Sequence, residues 1–246
     1  MDIELVTLVM SAFFAASFLK GVTGLGFSTI CLPILSFYIE PGVAISLVII
    51  PSLMSNFIVM RQSGRFTQTL KRFWKVYLSA LPGLFIGVYL LSSLESAVSR
   101  TVLGVVLTLY SVGALFNSGN NNLSDRLASL LLVPVGLITG LINGLTGSQI
   151  MPVLPYMLSL KLDKDTFVQA VNQSFTFSSL VMLLLLSKYE FITTSSLVIS
   201  ISGAIFVFLG VWAGGYVRDF LPIKMYKQIV LIMLLVTGVI LVAANR

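Results

Sequence analysis

The chain has 246 residues, 57% of them hydrophobic and only 10% charged, with a formal net charge of +6 and a mean hydropathy of +1.02. A soluble domain carries about 25% charged residues, so this composition excludes that class and describes a polytopic membrane protein. There is no histidine, which removes the commonest metal ligand and general base, and in such a chain the basic excess is a topology signal rather than a nucleic-acid footprint.

Residues 3–39 form the first apolar block. At about 1.5 Å per helical residue it is too long for one crossing and too short for two with a turn. Its centre, Lys20-Gly21-Val22-Thr23-Gly24-Leu25-Gly26-Phe27-Ser28-Thr29, breaks a helix. Irregular backbone at membrane depth is tolerated only where protein or a water-filled cavity covers it, so this stretch reads as one wall of a site. Asp2 and Glu4 stand at the head of the apolar run, where a cleaved signal peptide would carry basic residues. Cys31, the single cysteine, reads as a small buried apolar side chain. Segments at about 43–60, 74–93 and 100–116 complete a first repeat over 1–117.

A polar stretch, 118–127, reads as a linker. The second repeat, 128–246, has the same order: a broken block at 128–160, then segments at about 167–187, 195–217 and 224–243. Its Gly-rich centre is Gly140-Leu141-Ile142-Asn143-Gly144-Leu145-Thr146-Gly147-Ser148-Gln149, and one register aligns Gly21 with Gly140 and Pro33 with Pro152. Further on, Ile86-Gly87-Val88-Tyr89 matches Leu209-Gly210-Val211-Trp212. Internal duplication of this kind recurs in secondary transporters.

Basic residues accumulate on the cytoplasmic side and decide how the halves are oriented. With each broken block as a re-entrant hairpin, eleven basic residues fall inside and three (Arg100, Lys188 and Arg246) outside, setting Lys20 aside as buried. With each block as a full crossing the division is eight to six. The expected fold is therefore an all-α polytopic membrane protein of two inverted repeats. Each repeat is a re-entrant or broken helix-turn-helix hairpin plus three transmembrane helices, with both termini outside.

With its two Gly-rich stretches and following prolines, Gly21 to Leu35 and Gly140 to Leu154, and the shorter signatures around Gly87 and Gly210, the chain resembles the TauE/SafE sulfite exporter family of membrane permeases. The resemblance covers essentially the whole chain. The family's glycine run is usually denser than Gly24-Leu25-Gly26 and Gly144-Leu145-Thr146-Gly147. What the resemblance implies is passage of small sulfur-containing anions, such as sulfite or organosulfonates, across the bacterial inner membrane.

Candidate substrate-binding residues lie at the two hairpin tips: Lys20, Thr23, Gly24, Ser28 and Thr29 in the first, and Asn143, Thr146, Ser148 and Gln149 in the second, with Gln173 beside them. A lysine at mid-bilayer costs about 2.5–3.5 kcal/mol on insertion scales and marks a functional site by default, the alternative being that its stem snorkels to an interface. The second repeat aligns only Thr139 with it. Ser28-Thr29 and Ser148-Gln149 fall where each returning half-helix should begin, so they either present a positive helix end to an anion or simply cap it. Ser52, Asn56 and Ser178 read as interhelical hydrogen bonds, and Gly83-x-x-x-Gly87 and Gly210-x-x-x-Gly214 as close helix contacts.

No acidic pair of the kind a sodium or proton relay needs occurs in the apolar segments, nor does a nucleotide-binding loop. Neither a catalytic set, a metal site nor a cofactor is expected. The expected partners are a small anionic substrate and the lipid bilayer, not nucleic acid, and a homodimer is left open. Two other readings remain: a carrier of a different solute or of a metal cation on this scaffold, and an intramembrane enzyme, which would lack an acid–base set.

Overall fold

The computed structural model describes residues 3–116, 123–217 and 223–243. Ten helices occupy them: α1 (Ile3–Thr23), α2 (Phe27–Ser36), α3 (Pro41–Ser63), α4 (Phe66–Ser93), α5 (Ser96–Phe116), α6 (Asp125–Thr146), α7 (Val153–Leu158), α8 (Lys164–Lys188), α9 (Thr194–Val217) and α10 (Ile223–Ala243). Among the described residues there is no strand, and seven helices are long and apolar enough to cross a membrane. The helices α2 and α7, at 10 and 6 residues, span only about 15 and 9 Å and cannot cross. Each broken block is thus a full-length helix followed by a short returning one.

Several helices begin before the apolar runs that announced them. The helix expected at 74–93 starts at Phe66, because Lys71, Arg72 and Lys75 end the apolar run but are good helix formers, and Phe73, Val76 and Tyr77 keep its inner face buried. Ser96 and Asp125 likewise open α5 and α6 ahead of 100 and 128. The start of α6 takes the last residues of the 118–127 linker, since Ser124 caps it by accepting the Leu127 N–H at 3.4 Å. The linker residues up to 122 lie outside the described residues, as do both termini.

Glycine decides how the helices pair. Along α4 and α6, Val76 and Ser79 face Gly136, Ala80 faces Gly140, and Gly87 meets Gly144, so the two run parallel. The same device joins α1 to α9, also parallel: Phe14 and Ser17 face Gly210, and Phe18 and Gly21 face Gly214. Small residues let helix backbones approach closely where lipid offers no hydrophobic drive between helices. Gly104 packs on Gly238 and Leu241 across α5 and α10.

The central pair, α3 and α8, runs antiparallel. Gly42 at the start of α3 faces Phe191 just beyond α8, whereas Thr176 donates to Met60 Sδ at 3.8 Å near the other end. Pro51, inside α3, cannot donate to the Leu47 carbonyl, and that freed oxygen instead accepts the Ser200 hydroxyl of α9 at 2.8 Å.

Each short helix anchors its own core. Phe27, Ile30, Cys31, Leu32 and Leu35 of α2 sit in one buried cluster with α1, α3 and the ends of α4 and α8. Val153, Leu154 and Met157 of α7 sit in a second with Phe73, Val76, Val135 and Val171. Outward, Phe85, Ile86, Leu184, Ile205 and Trp212 are exposed large apolar side chains, as a lipid-facing surface requires.

Candidate functional site: two hairpin tips

Both tips are built alike. The first helix of each ends on a threonine, Thr23 or Thr146, whose hydroxyl donates to the carbonyl one turn back: Leu19 at 2.9 Å and Ile142 at 2.7 Å. The same hydroxyl accepts an N–H two residues on, from Leu25 or Ser148, at 3.2 Å in each case. A left-handed glycine follows, Gly24 (φ 79°) or Gly147 (φ 71°). Its N–H closes the helix on the carbonyl of Lys20 (2.6 Å) or Asn143 (2.7 Å). Glycine is required at these two positions because an L side chain there is strained.

This geometry corrects the register taken from the sequence. Thr23-Gly24 corresponds to Thr146-Gly147, so Gly21 answers to Gly144 and not to Gly140, and Lys20 answers to Asn143 and not to Thr139. The same register carries Gly87 onto Gly210. Pro33 and Pro152 are therefore not equivalent: Pro33 lies inside α2, and Pro152 is the N-cap of α7.

A second correction follows. Ser148-Gln149 do not begin a returning helix, which starts at Val153. The residue before a proline is biased away from helical backbone, so helix cannot form until Pro152 is passed. In the first tip Ser28-Thr29 do lie in the opening turn of α2, but neither caps it. Ser28 donates instead to Ser52 Oγ of α3 at 2.9 Å, and Thr29 is buried.

Lys20 is 1% exposed, and its Nζ donates to Asn56 Oδ1 of α3. It does not snorkel. Asn56, read from the sequence as an interhelical bond, is that bond, and its target is the lysine. Every described acidic residue (Glu4, Glu40, Glu95, Asp125, Asp163, Asp165 and Glu190) is exposed, so no buried carboxylate faces Lys20 among the described residues. Asn172 of α8 holds the same tip by donating to the Gly24 carbonyl at 3.1 Å and to Val168 O at 2.8 Å.

The second tip is held farther along α8, where Gln149 Nε2 donates to Ser179 Oγ at 2.9 Å. Asn172 and Ser179 lie two helical turns apart, so the tips approach α8 about 10 Å from one another. Gly147 packs against Leu32 and Ile45, which brings this tip against α2 and α3. Asn143, fully buried, has no hydrogen-bond partner for either atom of its amide among the described residues. The same holds for the buried Ser148 Oγ, Thr139 Oγ1, Asn56 Nδ2 and Asn172 Oδ1. Leaving such a group unpaired costs about 1–3 kcal/mol, and five of the residues concerned lie on the elements that carry or flank the two tips.

Gln173 is placed differently from the other candidates. Its oxygen accepts from Thr69 (2.7 Å) and Tyr77 (3.1 Å), and its nitrogen donates to Phe66 O at 2.8 Å, so its amide is spent on α4. It belongs to a polar clamp by which the start of α8 grips the α3–α4 corner. Arg65 pairs there with Asp163 at 3.1 Å, and Asp163 caps α8 through the Thr166 N–H and hydroxyl. The Thr166 hydroxyl and N–H, with Arg65 beside them, hold the Asp163 carboxyl below its ordinary range. A carboxyl lowered on folding stabilises the fold above its unfolded value and loses that contribution as pH falls through the folded one. Asp163→Asn, which keeps a capping oxygen but cannot titrate, is expected to flatten the acid limb of a melting curve taken in detergent between about pH 5 and pH 2. An unchanged acid limb would remove the charge from this account.

No curated protein and no solved structure matches the chain. A family model described as Sulfite exporter TauE/SafE matches residues 9–241, taking in both hairpins and nearly the whole length. With all-helical architecture, seven candidate spans and two paired hairpin tips, the chain belongs to the sulfite exporter TauE/SafE family and is a membrane transporter.

Proposed function

We propose that the chain carries small sulfur-containing anions, sulfite or organosulfonates, through a site between the two tips at mid-membrane. The observation that supports this reading is the buried Nζ of Lys20, hydrogen-bonded to a neutral amide and facing no carboxylate among the described residues. A buried lysine carries its charge only beside a counter-charge, and here an anionic solute would supply it. The unpartnered amides and hydroxyl at Asn143, Asn172, Asn56 and Ser148 would bind the sulfur oxygens or the water around them. A metal cation fits poorly, since the described residues contain no cluster of metal-ligating side chains.

The transport cycle is alternating access on two inverted repeats, with both termini outside and the basic loops in the cytoplasm of a bacterial cell. Two features support that arrangement. The equivalent helices α3 and α8 are antiparallel, and so are α5 and α10, where Gly104 faces Leu241 while Thr108 faces Gly238. Inverted repeats require this relation of their matching helices.

Proteoliposomes loaded with the purified protein test the substrate class. Sulfite or a short organosulfonate is expected to be taken up and to compete with itself, while chloride and divalent metals compete weakly. Flux of metals without flux of sulfur anions would refute the reading.

A further inference from the structure

We propose a second anion site, away from the tips, that binds the phosphate of an anionic lipid headgroup or free inorganic phosphate. A cavity of about 540 Å³ opens between the basic start of α4, the first turns of α6 and the segment after α7. Two cations line it, Arg72 and Lys161, both exposed and neither in an ion pair among the described residues. Ser129 adds a hydroxyl, and Phe73 and Leu132 form apolar wall. Arg72 is braced, with its guanidinium carbon 5.3 Å from the Phe73 ring centroid.

Among the described residues Asp125 is the one carboxylate in the lining, so the side chains that line the cavity there sum to +1. Its depth suits a headgroup. Arg72 precedes Trp74, which is 48% exposed, and α6 presents Leu127 and Leu130 outward just beyond the cavity. Tryptophan beside basic residues at the end of an apolar helix is the composition of a membrane–water interface. A fork of N–H donors at Arg72 and a point charge at Lys161 suit a tetrahedral oxyanion, and the apolar wall suits the glycerol and first methylenes of a lipid.

This site does not depend on the transport reading. It is tested on detergent-purified full-length protein by thermal shift and native mass spectrometry with phosphatidylglycerol, phosphatidylcholine and inorganic phosphate. Phosphatidylglycerol is expected to be retained and to stabilise more than phosphatidylcholine, and Arg72→Gln or Lys161→Gln should each weaken it roughly fivefold. Lys75→Gln, beside Trp74 but outside the cavity, should leave it unchanged. Stabilisation by inorganic phosphate with the same dependence on Arg72 and Lys161 would keep the site and assign it to a soluble anion. Equal binding of both lipids with no response to phosphate would overturn the proposal, as would an equal loss in Lys75→Gln.

Discussion

Lys20→Met is expected to abolish most anion flux while the protein still inserts and folds. Truncating one partner of a buried charge pair costs roughly 2–5 kcal/mol, so flux at limiting substrate should fall about 30-fold or more. Removing the lysine relieves its desolvation penalty in the empty protein but leaves Asn56 Oδ1 unpaired, so the two effects offset and the variant's melting temperature should change little. That combination separates a binding lysine from a structural one. Asn56→Leu should copy part of the defect, because Asn56 Oδ1 is what positions the ammonium. Asn143→Leu, at the equivalent place in the other tip, should lower flux less, since it removes a neutral amide. Wild-type flux in Lys20→Met, with normal insertion, would leave Lys20 as a helix-packing residue.

The second large effect is expected on folding. In Gly87→Val a Cβ would collide with the Leu141 carbonyl and stand 2.8 Å from Gly144 Cα and 2.9 Å from Leu145 N. These atoms are backbone, so no rotamer change relieves them and α4 must move off α6. Overpacking usually costs about 1–3 kcal/mol, and a clash with backbone should reach the top of that range or pass it. Yield of monodisperse protein and melting temperature should both fall sharply. Gly113→Ala, with nothing within 4 Å among the described residues, is the control and should be neutral or slightly stabilising. Gly87→Ala carries the same Cβ, so it should also lower yield and melting temperature, though less than valine, and because Gly144 adjoins Asn143 the protein that does fold should show reduced flux.

Much of the architecture was legible in the chain. Apolar runs in two matching halves, breaks at Gly24 and Gly147, and glycine pairs at Gly83–Gly87 and Gly210–Gly214 announced hairpins and close helix contacts, and these are what the fold contains. The register between the halves was misread. Alignment on Gly21 and Gly140 was drawn to a pair of prolines, yet Pro33 and Pro152 do different work, and the short Thr-Gly step carries the real correspondence.

Composition and pattern by themselves determined that this is a polytopic helical membrane protein with two breaks and a lysine within its first apolar block, whose burial only the structure decided. They could do so because transfer of apolar side chains and the cost of buried charge are local properties of residues. Which polar residue meets which was decided only in three dimensions. Gln173 is consumed by α4, Asn56 Oδ1 by Lys20, and Asn143 by nothing among the described residues. A hydrogen bond depends on the relative placement of helices distant in sequence, and in this chain that placement comes from the glycine contacts that set how closely α4 approaches α6 and α1 approaches α9.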